Sequence, residues 1–279
     1  MKAENMSLNE SSQLEFLESS DKSKLSSSLR NTHEKEISDV KTNKIFDLGK
    51  STSSPEYLLI IDTETTGLDP ENDQCIEIGV ILFYVPKRSV LAQQSFLIPC
   101  EINEAESINR IPAEITRVPQ SVDKGLEYFK ALLGCSDVLV AHNAAFDKQW
   151  FGKNRLPAIS KPWICTMEDI SWPKERQLRS RPSVRDLALS YGVPVWNAHR
   201  ALTDCIYISE VFQRCEDLEL LLRQGMEPRK LMRAKVSYDE RHLAKEAGFK
   251  WNEPIRGAWT RRLSAREVAN LTFPVVCAE

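Results

Sequence analysis

The chain has no Cys-x-x-Cys pair, no apolar run near the roughly 18 residues of a membrane helix, and no apolar stretch close to its start. The first absence argues against a disulfide framework or a thiolate zinc site, so the seven scattered cysteines read as reduced thiols of an intracellular, cytoplasmic protein. The second and third predict no membrane association and no secretory leader. A large net charge is also missing: 37 Lys+Arg stand against 40 Asp+Glu, a formal −3. Taken whole, that balance argues against a polyanionic partner.

The balance is uneven along the chain. Residues 1–54 hold 8 basic and 9 acidic side chains. Residues 55–226 hold 18 and 24, net −6, and residues 227–279 hold 11 and 7, net +4. The first segment has 13 serines, one glycine, no proline and no sustained apolar period, which predicts a disordered tail. Its nine acids count against a transit peptide. The remainder, at 42% hydrophobic residues overall, has enough to build a core.

Order is expected from Tyr57. Tyr57-Leu58-Leu59-Ile60-Ile61 reads as a strand buried on both faces, followed by strands over Cys75–Val85 and Val90–Ile98 with a turn at Pro86–Ser89. Helical spacing over Val122–Leu133, an apolar strand Val138–Ala141, a helix starting near Asn143, a strand about Pro162–Thr166, and helices about Ser183–Tyr191 and Ala201–Leu222 follow. Hairpin strands followed by alternating strands and helices predict an α/β mixed sheet flanked by helices. Residues 227–279 read as a small basic α+β module: a strand at Ala234–Tyr238, a helix about Glu240–Ala247 stopped by Gly248, a strand near Ala258–Leu263, and a capping box at Ser264–Glu267.

Three acidic motifs fall at element ends. Asp62-Thr63-Glu64-Thr65-Thr66-Gly67-Leu68 follows the first strand; if the strand persists, Asp62 and Glu64 share a face. Two carboxylates so placed repel each other unless a cation lies between them. Alone, the run also fits an acidic turn. In Val138–Asp147, Asn143 fits an N-cap and puts Asp147 one turn into a helix, where a helix dipole would equally suit it. In His199-Arg200-Ala201-Leu202-Thr203-Asp204, five helical positions rotate by about 140°. His199 is therefore expected on the loop before the helix and Asp204 on the helix.

Asp…Glu, Asp, then His-x4-Asp, in this order and on these elements, resembles the DEDDh (DnaQ-like) 3′→5′ exonucleases, the family of bacterial DNA polymerase III epsilon proofreading subunits and ribonuclease T. The resemblance covers about residues 57–215 and implies a ribonuclease H-like fold. Oxygen-rich ligands favour Mg²⁺, with Mn²⁺ as substitute, over Zn²⁺; two ions about 3.5–4 Å apart suit in-line phosphoryl displacement. The resemblance implies that Asp62 bridges the ions, that Glu64 and Asp204 hold one, that Asp147 supports the other, and that His199 accepts the proton of the attacking water. Imidazoles ordinarily titrate at about 6.5, which suits that work. It also implies that Thr65 meets the terminal 3′-OH and Leu68 packs on the terminal base. Expected products are nucleoside 5′-monophosphates, from single-stranded or frayed DNA in repair or replication. The alternatives are an RNA 3′-trimming enzyme of the same superfamily, a ribonuclease H-type endonuclease, and a non-catalytic nucleic-acid-binding or clamp-tethering protein. Proofreading subunits often carry His-Gly-Ile in the stretch matching Ile108–Pro119, where this chain has Ile111-Pro112-Ala113-Glu114-Ile115-Thr116.

Between the second and third motifs, Lys174–Arg185 carries five cations in twelve residues, a phosphate-tracking or simply solvated loop. In the C-terminal module, Tyr238, Phe249, Trp251 and Trp259 alternate with cations; this reads as a single-strand platform or as a small core, with Phe249 and Trp251 expected in the core. In the tail, Gln13–Leu17 loosely resembles peptides that dock on the bacterial sliding clamp, a route to a replication partner.

Overall fold

The first strand, β1 (Tyr57–Thr65), is made of side chains that bury on alternate sides. Leu58 and Ile60 enter one apolar cluster, Leu59 and Ile61 the other. A strand buried on both faces must lie inside a sheet, and β1 does. In the computed structural model, which describes residues 53–196 and 199–278, β1 pairs antiparallel with β2 (Cys75–Tyr84) and parallel with β4 (Val138–Ala141). With β3 (Ser89–Leu97) and β5 (Trp163–Cys165) the order is β3-β2-β1-β4-β5. This is the ribonuclease H-like mixed sheet. The tail and its clamp-like Gln13–Leu17 lie outside the described residues.

Helices cover both faces. Short turns α1 (Glu106–Asn109) and α2 (Ala113–Thr116) precede α3 (Val122–Cys135), whose Val122, Leu126, Phe129 and Leu132 pack on the Leu59 side. Ser121 caps α3, its Oγ accepting from the Lys124 amide. α4 (Ala144–Lys148) follows β4 directly. α5 (Val184–Ser190), α6 (Ala201–Arg214) and α7 (Leu218–Gly225) pack on the Leu58 side. The single helix expected over Ala201–Leu222 is two. Cys215 is extended, its Sγ accepting from the Tyr191 hydroxyl, and the bend lets Leu218, Leu221 and Leu222 enter the same core as Val211 and Phe212.

The C-terminal residues form a second antiparallel sheet, order β7-β8-β6-β9: β6 (Arg229–Ala234), β7 (Lys250–Trp251), β8 (Trp259–Ser264) and β9 (Val275–Cys277), with α8 (Arg241–Glu246) and α9 (Ala265–Ala269). The strand expected at Ala234–Tyr238 lies earlier. Beyond Ala234 only the Lys235 amide still bonds the neighbouring chain, at Pro274, and Ser237 then turns on the Glu240 carboxylate. The capping box at Ser264 and Glu267 is present. Phe249 is core, but Trp251 is half exposed, because β7 is a two-residue edge strand and its ring rests on Trp259.

Candidate active site

β1 persists through Glu64, so Asp62 and Glu64 do share a face, the one that looks toward α6. Asp62 pairs across the ladder with Gly79, and Glu64 with Glu77. The glycine is what lets α6 come down on the sheet. A Cβ there would lie 2.3 Å from Ala201 C and Leu202 N, so no side chain fits beneath the first turn. That turn carries Asp204. As a result one carboxylate oxygen each from Asp62, Glu64 and Asp204 lie within 4.8 Å of one another.

Asp147, on α4 just after β4, is not one of these three, but its charge acts on Asp62 and Glu64. It is buried, and its Oδ1 accepts from Thr63 Oγ1 at 2.8 Å. Asn143 precedes α4 in the left-handed region and makes no side-chain cap, so it serves as the corner that turns the chain from β4 into α4. His199, in the left-handed region at φ 63°, stands on the loop before α6; its backbone N–H donates to Asp204 Oδ2 at 3.2 Å and its side chain is exposed.

The electrostatics follow from crowding. Burial and then the charges of Asp147, Asp204 and Glu64 push the Asp62 carboxyl well up. Glu64 is pushed to about 8, first by burial and then by Asp204 and Glu77. Burial likewise raises Asp147 to about 7 and Asp204 to about 6. Carboxylates so arranged are costly without a cation, and the donor set is all oxygen, which fits a hard divalent ion.

Two supporting residues were not singled out from the sequence. Glu77 is buried in the middle of β2 and receives Arg200 Nε (3.0 Å), Arg200 Nη2 (2.9 Å), the Ala201 amide (3.2 Å) and Ser95 Oγ (2.7 Å). It thereby clamps the His199–Ala201 corner onto the sheet. A lone carboxylate inside Cys75-Ile76-Glu77-Ile78-Gly79 was its available signal. Asn109, also buried, donates from Nδ2 to the Thr65 carbonyl at 3.0 Å and supports the turn after β1. No sequence pattern marks it.

Of the two expected substrate residues, Thr65 directly follows Glu64 at the end of β1 and Leu68 lies on the turn beyond it. The Thr65 hydroxyl donates to the Gly67 carbonyl at 2.6 Å. Leu68 is 80% exposed on a turn braced by Asp73, which accepts from Thr66 Oγ1 and the Asp69 amide.

His142, inside the second motif between β4 and α4, is held neutral. Burial lowers it to about 4. Its Nε2 faces the Pro182 carbonyl (3.0 Å), which requires the proton there, and leaves Nδ1 to accept from Thr166 Oγ1 (2.8 Å). The neutral ring thus ties the 166–182 loop to the base of α4. In that loop, Arg176 stacks on Tyr191, Arg179 pairs with Asp186 and Arg181 with Glu168. Three of the five cations of Lys174–Arg185 therefore serve to shape the loop.

A family model described as "Exonuclease" matches residues 59–212, and one described as "Domain of unknown function (DUF8626)" matches residues 230–277. The DNA polymerase III PolC-type protein of Clostridium perfringens is 29% identical over 177 residues, 59% of this chain and 12% of that protein. The DNA polymerase III subunit epsilon of Treponema pallidum is 30% identical over 162 residues, 54% of this chain and 72% of that one. Among solved structures, exonuclease X in complex with 5′-overhanging duplex DNA superposes with a TM-score of 0.45 at 23% identity, over 61% of this chain and 99% of that one. The matched stretch is thus about 12% of the length of the PolC-type relatives.

Proposed function

The chain belongs to the exonuclease family of DnaQ-like 3′→5′ enzymes, and from that premise we propose that residues 55–226 hydrolyse DNA stepwise from a 3′ end. The observation that carries this is the triad of oxygens from Asp62, Glu64 and Asp204 within 4.8 Å, with the charge of Asp147 acting on Asp62 and the His199 amide bonded to Asp204. Divalent ions held by these four carboxylates, Mg²⁺ or in its place Mn²⁺, would neutralise charge on the phosphoryl group and lower the barrier to its displacement.

The chain's own residues do the rest. Leu68 offers an apolar plate to the terminal base, and the Thr65 backbone the groove for the terminal sugar. His199, on an exposed corner pinned by Asp204 and by the Glu77–Arg200 pair, takes the proton from water as its oxygen bonds to phosphorus. The bond from phosphorus to the 3′ oxygen of the penultimate nucleotide breaks. A nucleoside 5′-monophosphate leaves, and the freed 3′ oxygen of the shortened strand takes a proton from solvent water to become a 3′-OH. DNA is favoured as polymer because the PolC-type and epsilon relatives are DNA polymerase components. Replication or repair is the corresponding setting, and the clamp-like Gln13–Leu17 is the candidate contact to a replication partner. The cysteines form no disulfide among the described residues, as suits a reducing cytoplasm; among the described residues no helix is long and apolar enough to cross a membrane.

The test is 5′-labelled single-stranded DNA, duplex DNA and RNA, each with Mg²⁺ or with chelator, beside Asp204→Ala. A descending ladder on single-stranded DNA that needs the ion and vanishes in the variant is expected. A ladder on RNA alone transfers the reading to RNA trimming; chelator-resistant cleavage overturns the ion-dependent reading.

A further inference from the structure

Burial alternates along residues 193–196, ahead of the third acidic motif. Val193 is buried and Val195 half-buried, both against the cluster of Leu58 and Phe212, while Pro194 and Trp196 are exposed. That is the two-residue period of extended chain, in which successive side chains take opposite sides. The two valines that hold the segment to the core therefore put the indole on the solvent side. Trp196 is 61% exposed, more than any other tryptophan of the chain.

The indole is fixed from beneath. The Trp196 amide donates to the Tyr207 hydroxyl at 3.0 Å, and the two rings meet edge to face, their centroids 5.2 Å apart and their planes at 71°. Tyr207 is buried on α6, three residues past Asp204 and so one turn further along the same side of that helix. In the other direction, Trp196 stands three residues before His199, whose amide bonds the Asp204 carboxylate. Two independent ties thus hold the ring near the turn that carries Asp204.

Packing accounts for the other large rings of this domain but not for this one. Trp163 and Trp172 lie against the two apolar clusters, and Trp172 gives its Nε1–H to the Thr166 carbonyl. Covering Tyr207 takes a single contact of the Trp196 ring and leaves most of the indole in water. A broad apolar ring kept in water, on the loop of the proton acceptor, is placed to meet a ligand.

We propose that Trp196 stacks on the base of the penultimate nucleotide, the one on the 5′ side of the scissile phosphate. In the exonuclease reading, on which the proposal rests, the terminal nucleotide takes Thr65 and Leu68 at the end of β1. The nucleotide across the phosphate then lies on a different wall, and the loop of Trp196 and His199 is the wall bonded to Asp204. Every base has a π face, so stacking is indifferent to sequence, and it requires that the base be free of its partner. Trp196 is accordingly a specificity residue that favours a single-stranded or frayed 3′ end.

The test removes the ring and the base separately and together. Full-length protein, Trp196→Leu, which keeps an apolar cover on Tyr207, and Trp196→Phe are compared in Mg²⁺ on oligothymidylate and on the same strand with an abasic penultimate residue. The first nucleotide released is followed. Trp196→Leu is expected to raise KM on oligothymidylate about tenfold with kcat nearly unchanged, and Trp196→Phe to recover most of the loss. The abasic strand should cost the unsubstituted chain about as much, and the two changes together should cost no more than either alone. An unchanged KM in Trp196→Leu, or an abasic penalty that persists undiminished in that variant, overturns the proposal. So does a fall in kcat alone, equal on both strands, which would make Trp196 a support for the His199 corner. If the unsubstituted chain hydrolyses neither strand, the exonuclease reading fails and the strand stays intact. Tryptophan fluorescence then decides the stacking: quenching by oligothymidylate that Trp196→Leu abolishes supports it, and equal quenching in both proteins, or none, overturns it.

Discussion

Glu77 is a buried carboxylate whose charge is matched by one guanidinium, a backbone amide and a hydroxyl. Burying a charge is tolerable only when such partners surround it, and removing one leaves the others uncompensated. Glu77→Gln keeps the volume and loses the charge that holds Arg200. The corner bearing His199 is then free to shift, and a shift of an ångström in a proton acceptor is costly. We expect kcat/KM to fall about 10²-fold with KM nearly unchanged, while Tm moves by only a few degrees. Arg200→Lys should recover part of the loss. A fall in Tm that accounts for the whole activity loss, or full activity in Glu77→Gln, would refute a positioning role. The same residue shows where reading along the chain stops. Asp62, Glu64, Asp147, His199 and Asp204 are legible because each sits at a fixed offset from the end of its own strand or helix. Glu77 meets Arg200 across 123 positions and Asn109 meets Thr65 across 44, and no local period encodes such a meeting.

Between β2 and α6 the decisive group is one that is missing, the Cβ of Gly79. Cys205 Sγ donates to the Gly79 carbonyl, and the helix N-terminus lies directly over the glycine. Gly79→Ala would force α6 outward, and with it Asp204. Overpacking of this kind costs about 1–3 kcal/mol, so the variant should fold with a lowered Tm and bind Mn²⁺ more weakly by calorimetry. Wild-type ion affinity in a folded Gly79→Ala protein would show that the helix does not set the site. Element types were largely legible from apolar period, since β1, β2, α3 and β4 bury continuous or amphipathic runs. Three errors have one cause. The α6–α7 break contains neither glycine nor proline, β6 is rich in cations, and Trp251 lies on an edge of two residues. In each, a tertiary partner decides what the local pattern leaves ambiguous: Tyr191 at Cys215, β8 and β9 beside β6, and Trp259 under Trp251.

Across the whole molecule, the acid-rich exonuclease core stores repulsion that a proton or a cation relieves, and this makes stability depend on pH in an uncommon direction. Glu64, Asp147 and Asp204 have folded-state pKa values of about 8, 7 and 6, against ordinary values of 4.5 and 3.8. A raised carboxyl holds its proton in the folded chain while the unfolded chain has released it. Its contribution to stability is therefore complete below the ordinary value and is lost as pH rises through the folded value. The metal-free protein should melt at progressively lower temperature from about pH 4.5 to pH 8, with about 2–4 °C in Tm for each kcal/mol in a domain of this size. Ions bind the deprotonated set, so saturating Mg²⁺ should raise Tm little near pH 5 and most near pH 8. Asp62→Asn, which removes the carboxylate at the centre of the cluster, should flatten both curves, because less repulsion remains for either a proton or an ion to relieve. A metal-free Tm that rises over this range, or an ion-induced shift that is the same at both ends, would mean that the four carboxylates do not share one cation site.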